Sequence, residues 1–209
     1  MNTVSSLPEV LAEAQRLGFL GPGPVQRHID HAVGMAGCLL RTAARGLDLG
    51  SGGGVPGLVM AEWKPALHLV LLDARERRCR FLRQAVRDLG VADRVEVVEE
   101  RAEAAARRPD LRETIDVVVA RSFGPPAVTA ECAVGFLRLG GHLVVSEPPE
   151  KAGRWPVDGL ETLGLSAGAP CGGGEASFVR FEKLRLDDRW PRRVGIPAKR
   201  PLWSGEHPP

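Results

Sequence analysis

The sequence predicts an α/β protein built on a doubly wound, mostly parallel Rossmann-like sheet with short N-terminal helices and an antiparallel last strand. Three observations carry this. Short buried apolar runs alternate with helical patterns along most of the chain. The first of those runs feeds directly into a glycine-rich loop, and the second ends on an acid. Strands alternating with helices need right-handed crossovers, which cover both faces of a parallel sheet with helices.

The elements follow in order. Apolar residues recur at helical spacing from Leu7 to Leu17 and from Val25 to Ala43, with Gly21-Pro22-Gly23-Pro24 breaking the chain between them. Gly46–Leu49, Leu67–Leu72, Val95–Val98, Ile115–Ala120 and His142–Ser146 read as buried strands. Between the second and third lies a helix from Arg75 to Leu89, whose Cys79, Leu82, Val86 and Leu89 form one apolar stripe; Arg80, Arg83 and Arg87 fall off that stripe, as a solvated basic face does. A longer final strand, Ser177–Leu186, follows a tight reversal at Cys171-Gly172-Gly173-Gly174. The 209 residues fit one sizeable domain, divided into lead-in helices (1–43), the α/β body (44–186) and a basic, proline-rich C-terminal tail (187–209) that is expected to fray after Leu202.

Composition narrows the function classes. With 44% hydrophobic and 26% charged residues and no apolar run of the roughly 18 residues a span needs, no membrane segment is expected. Met1–Ala14 lacks the basic flank, apolar stretch and cleavage site of a secretory leader, so the cytoplasm is the expected location. Cys38, Cys79, Cys132 and Cys171 are too dispersed for a zinc or thiol redox motif, so no metal site is expected. The net charge of +2 does not announce a nucleic-acid binder; the distribution of charge says more.

The most informative segment is Asp48-Leu49-Gly50-Ser51-Gly52-Gly53-Gly54-Val55-Pro56-Gly57. In an open parallel sheet ligands bind at the carboxyl ends of the strands, where glycine permits a sharp turn and close approach of backbone to ligand. Asp73 closes the second strand where a carboxylate accepts hydrogen bonds from both hydroxyls of a ribose. Together these specify an adenosine-type cofactor. Gly52-Gly53-Gly54-Val55-Pro56-Gly57 also satisfies a dinucleotide pattern, but Asp48 two residues before Gly50 gives Asp-x-Gly-x-Gly-x-Gly, which resembles the first motif of class I methyltransferases that use S-adenosyl-L-methionine (SAM).

Beyond that motif, Arg27-His28, the glycine loop with its Val55-Pro56-Gly57 ending, Leu71-Leu72-Asp73 with Arg77-Arg78-Cys79-Arg80-Phe81-Leu82-Arg83, Arg101-Ala102-Glu103, and Ala120-Arg121-Ser122-Phe123 resemble the bacterial small-subunit ribosomal RNA guanine-N7 methyltransferases, the family also called glucose-inhibited division protein B. The resemblance covers residues 25–145 with an echo near the C-terminus. It implies that Gly50, Ser51, Gly52 and Val55 lie near the methionine part of SAM, Asp73 at the ribose, Ala102 and Glu103 beside the adenine, and Arg121 at the mouth of the site, positioning substrate or cofactor. One departure stands out: where the family usually has lysine and glycine after the fifth strand, this chain reads Ser146-Glu147-Pro148-Pro149.

From Lys183 to Trp203 seven basic residues face two acidic ones, a local excess of about +5. Trp190-Pro191-Arg192-Arg193 and Gly195-Ile196-Pro197-Ala198-Lys199-Arg200 resemble the family's C-terminal segment. Arg192, Arg193, Lys199 and Arg200, with His28, are therefore the expected RNA contacts, phosphates supplying affinity without choosing the base. Trp190 is suited either to stacking on a base or to anchoring the segment. The resemblance implies methyl transfer to N7 of a guanine in 16S ribosomal RNA, free or in the small ribosomal subunit. N7 carries no proton, and no His/Asp or Cys/His constellation marks a catalytic base. Two alternatives stay open: a SAM-dependent methyltransferase acting on a small molecule or protein, and a non-catalytic SAM- and RNA-binding module.

Overall fold

The structure is a computed structural model that describes residues 5–147, 153–172 and 177–204. Seven strands form one sheet in the order β3-β2-β1-β4-β5-β7-β6. β1 (Arg45–Leu49), β2 (His68–Asp73), β3 (Val95–Glu99), β4 (Ile115–Ala120) and β5 (Leu137–Glu147) pair in parallel. β7 (Ser177–Glu182) runs antiparallel to β5, and β6 (Ala169–Cys171) antiparallel to β7. The order reverses between β1 and β4, so their carboxyl ends open the crevice in which such sheets bind ligands.

Side chains alternate between two cores, as they must in a sheet covered on both faces. Leu47, Leu49, Val118 and Leu143 face one core, which is closed by α5 (Ala102–Ala105), α6 (Pro126–Val134) and α7 (Val157–Thr162). Leu69, Leu71, Val117, Val119 and Val144 face the other, which is closed by α1 (Leu7–Arg16), α2 (Val25–Ala36), α3 (Gly57–Trp63) and α4 (Glu76–Asp88). Among the described residues no helix is long and apolar enough to cross a membrane, and no group of three or more His, Cys, Asp or Glu is placed to hold a metal ion.

Three elements differ from the sequence reading. α2 stops at Ala36 because Gly37 caps it; Leu39 and Ala43, which continued the helical spacing, reach the core from a loop. β5 begins five residues earlier than expected, at Leu137, entering through a register shift opposite Ile115 and Val117, with Gly140 at φ +72°. β6 gave no signal, being three residues long with a proline at its centre on the sheet edge. Residues 173 and 174 of the expected reversal lie outside the described residues.

As far as Ser204 the C-terminal span packs back on the body as a strap; residues 205–209 of the expected tail lie outside the described residues. Trp190 is buried in the α6 core. Lys183 is 2% exposed, its Nζ donating to the Val134 carbonyl at 2.6 Å, and burial pushes its pKa down to about 8. Arg185 donates to the Glu161 and Thr162 carbonyls at the end of α7, where a cation also opposes the helix dipole. Arg189 pairs with Asp187 at 2.6 Å, and Arg192 donates to both oxygens of Glu131, which is fully buried. Of the seven basic residues, Arg193, Lys199 and Arg200 are exposed and, among the described residues, their side chains are in no ion pair and donate to no carbonyl. Leu202 and Trp203 pack against the α6 and α7 side as well, the Trp203 indole N–H donating to the Arg154 carbonyl at 3.1 Å.

Candidate cofactor and acceptor site

The glycine loop is held by its neighbour strand. Gly50 and Ser51 N–H groups both donate to the Leu72 carbonyl, at 2.8 and 2.9 Å, so the loop folds across the end of β2. Gly50 has φ +76°, and a Cβ there would meet the Phe123 ring at 2.6 Å; only glycine satisfies both conditions. The Asp73 carboxylate, 5% exposed, accepts from the Gly52 N–H at 3.0 Å and the Arg75 N–H at 2.9 Å, and lies 3.4 Å from Arg78 Nη1. One carboxylate thus ties the loop to the start of α4.

Asp48 lies beneath the loop and accepts from the Gly57 N–H at 2.9 Å. Gly57 sits so tightly on Asp48 and Leu71 that an added Cβ would meet Leu71 Cδ2 at 2.3 Å and Asp48 Oδ2 at 2.6 Å. Gly57→Ala is therefore expected to destabilise the chain by about 1–3 kcal/mol in urea unfolding through overpacking alone. An unchanged midpoint would show that α3 shifts freely.

Burial pushes the Asp48 carboxyl up to about 7, against the N–H donated by Gly57. Because this pKa lies above that of an unfolded carboxylate, about 3.9, the folded chain holds the proton more tightly. Asp48 therefore contributes stability that is complete below about pH 4 and is lost as pH rises to about 7. Asp48→Asn keeps an acceptor for Gly57 and removes the titration. The difference between its unfolding profile and that of the wild type should grow from pH 4 to 7 and level above it; parallel profiles would refute the assignment.

A cavity of about 430 Å³ opens between the glycine loop, α4, α5 and α6, and Gly50, Asp73, Ala102, Glu103, Phe123 and Ala198 are among its walls. Of the residues singled out from the sequence, Gly50, Asp73, Ala102 and Glu103 line it. Ser51 and Gly52 support it from behind: Ser51 Oγ donates to the Asp48 carbonyl at 3.0 Å. Val55 is 7% exposed and packs in the core on the α3 side. The Glu103 carboxylate accepts from the Gly195 N–H at 2.9 Å, which brings α8 (Ile196–Lys199) and its Ala198 to the cavity rim.

Arg121 and His28 meet on the other face of β4. Arg121 Nη2 lies 2.8 Å from His28 Nδ1, and His28 Nε2 lies 3.2 Å from the Gly21 carbonyl. A neutral imidazole protonated at Nε2 satisfies both, accepting from Arg121 and donating to Gly21. His28 is 9% exposed and engaged on both nitrogens, so it is placed to orient Arg121 and not to meet a phosphate directly. Burial holds Arg121 below the usual guanidinium range, and its Nη1 is buried without a partner among the described residues.

The sequence reading missed His31 and Ser146, whose Nε2 and Oγ lie 2.8 Å apart. Burial and the neighbouring Arg121 push His31 down to about 4, so it is neutral at pH 7. Its position three residues after His28 on one helix was the available signal. Glu131, Phe123 and Ala198 were missed as well; the last gave no signal, because it reaches the site only once the strap has folded back.

A SAM-sized cavity at the switch point, lined by the glycine loop and by a carboxylate at the end of β2, fits SAM. It defines a SAM-dependent methyltransferase of the doubly wound class. Residues 24–149 match the family model described as rRNA small subunit methyltransferase G. The ribosomal RNA small subunit methyltransferase G of Rubrobacter xylanophilus is 36% identical over 213 residues, covering 94% of this chain and 81% of the relative. That of Carboxydothermus hydrogenoformans is 35% identical over 170 residues, covering 77% and 72%. The chain belongs to the rRNA small subunit methyltransferase G family. Among solved structures, cofactor-bound Rv0187 from MTB has a TM-score of 0.58 at 22% identity, covering 86% of this chain and 90% of that one. A SAM-dependent O-methyltransferase from Thermotoga maritima has 0.58 at 13%, covering 87% and 74%. At these identities the likeness is one of fold.

Proposed function

We propose that this enzyme methylates N7 of a guanine in small-subunit ribosomal RNA. The observation that carries the reading is the family match, which spans the glycine loop, Asp73, Glu103 and Arg121 together. When bound, SAM supplies an electrophilic methyl group. Asp73 accepts from the ribose hydroxyls, Gly50 admits the methionine part close to the backbone, and Ala102 and Glu103 border the adenine. Ser51, Gly52 and Val55 shape the loop from beneath.

A guanine N7 attacks through a free lone pair, so the site needs alignment and electrostatic support in place of a base. The titratable groups near the carboxyl ends agree with this: Asp48 is engaged by Gly57, and His31 by Ser146. Arg121, held by His28 and lining neither cavity, is assigned to positioning the end of β4. Arg193, Lys199 and Arg200 serve the phosphate backbone; Arg192 is withdrawn from that role by Glu131.

Methyl incorporation from labelled SAM into small-subunit RNA, naked and assembled, tests the reading. Incorporation should weaken as salt rises, and the Arg193→Ala and Arg200→Ala variants should each lower the salt slope of RNA binding by about 1. SAM binding with no RNA labelling would send the search to small acceptors.

A further inference from the structure

A second cavity, of about 180 Å³, lies at the carboxyl ends of β4 and β5, lined by Thr129, Ser146, Glu147, Arg154 and Trp155, and it adjoins the cofactor cavity at Ser122, Phe123 and Gly124, which line both. It has room for one purine ring system but not for a nucleotide. Aromatic side chains form part of it, and Trp155 is fixed by packing of its ring against Phe181, with centroids 4.7 Å apart. Among the described residues its one carboxylate, Glu147, is 9% exposed and accepts from Arg154 Nη1 through both oxygens, at 3.0 and 3.1 Å. Arg154 is itself tethered, its carbonyl accepting from the Trp203 indole N–H.

We infer that this cavity receives the acceptor base and that Glu147 selects guanine by accepting hydrogen bonds from its N1–H and N2–H. A carboxylate only accepts, and each oxygen keeps lone pairs beyond those facing Arg154. Among the four RNA bases only guanine presents two adjacent donors on its pairing edge. Adenine presents an acceptor beside its amino group, cytosine likewise, and uracil a single N–H between two carbonyls. A base held by that edge turns its opposite side, which carries N7, away from Glu147, toward the residues where the two cavities adjoin.

The same carboxylate acts on the chemistry. The N7 lone pair forms the new N–C bond as the methyl–sulfur bond breaks, and the bonding pair stays on sulfur. No proton moves. The guanine ring becomes cationic, and a fixed negative charge on its far edge opposes that developing charge. The inference rests on the proposed guanine acceptor.

The test compares target RNA carrying guanosine with RNA carrying inosine at the methylated position, since inosine keeps N7, O6 and N1–H and lacks only the N2 amine. Wild type should lose about tenfold or more in kcat/KM on inosine, a site built for a donor being left unpaired. Glu147→Gln should lose a similar factor on guanosine and treat the two RNAs alike within about threefold, while its Kd for SAM stays at the wild-type value. Glu147→Asp should recover part of the discrimination, which a purely structural ion pair with Arg154 would not require. Wild type methylating guanosine and inosine equally, or Glu147→Gln keeping the preference, overturns the assignment and leaves the RNA reading standing. Labelling of neither RNA by wild type overturns both. A Glu147→Gln chain that misfolds leaves the wild-type comparison to decide.

Discussion

Asp73→Ala should weaken SAM binding by about 10²–10⁴-fold, the largest effect expected of any single side chain in the cofactor site. Two ribose hydroxyls lose a charged acceptor, and hydrogen bonds to charged groups contribute about 1.5–3 kcal/mol each. The same carboxylate accepts from Gly52 and Arg75, so its removal also loosens the loop that the methionine part must approach. Asp73→Asn, which keeps one acceptor oxygen and loses the charge, should fall between, near 10–100-fold. Titration calorimetry with SAM measures both. Wild-type affinity in Asp73→Ala would remove Asp73 from the ribose and with it the orientation proposed for the cofactor.

Arg192→Ala should lower stability by about 3–5 kcal/mol, because it leaves the fully buried Glu131 without a countercharge, holding only the residue 192 N–H. For a domain of this size that is a drop in melting midpoint on the order of 10 °C. Glu131→Gln combined with Arg192→Ala should restore much of the loss, since the uncompensated charge then disappears. Were Arg192 a phosphate contact, as its place in a basic run suggests, truncation would leave the melting midpoint alone and reduce the salt slope of RNA binding instead. Thermal unfolding of the two variants separates these outcomes.

The body of the sheet was legible because each parallel strand is buried on both faces and announces itself as an apolar run; Ile115–Ala120 was bounded correctly at both ends. The cofactor crevice was legible for a related reason: Gly50 and Asp73 owe their identities to local constraints, a left-handed turn and a carboxylate at a strand end. The strap was not legible. Its charge excess is local in sequence, whereas the partner of Arg192 lies 61 residues away on α6 and that of Lys183 is a carbonyl 49 residues away. A basic run reads the same whether its side chains face phosphate or are consumed by buried acceptors. His31 with Ser146 and Arg121 with His28 are long-range pairs of the same kind, separated by 115 and 93 residues.

The central claim is methyl transfer to N7, and N7-methylguanine identifies itself chemically: borohydride reduction followed by aniline cleaves the RNA strand at that nucleotide. Small-subunit RNA from cells lacking this enzyme, incubated with the purified chain and SAM, should acquire one such cleavage site, absent without SAM and absent with Asp73→Ala. Methyl incorporation without strand cleavage would place the methyl on another atom and contradict the account.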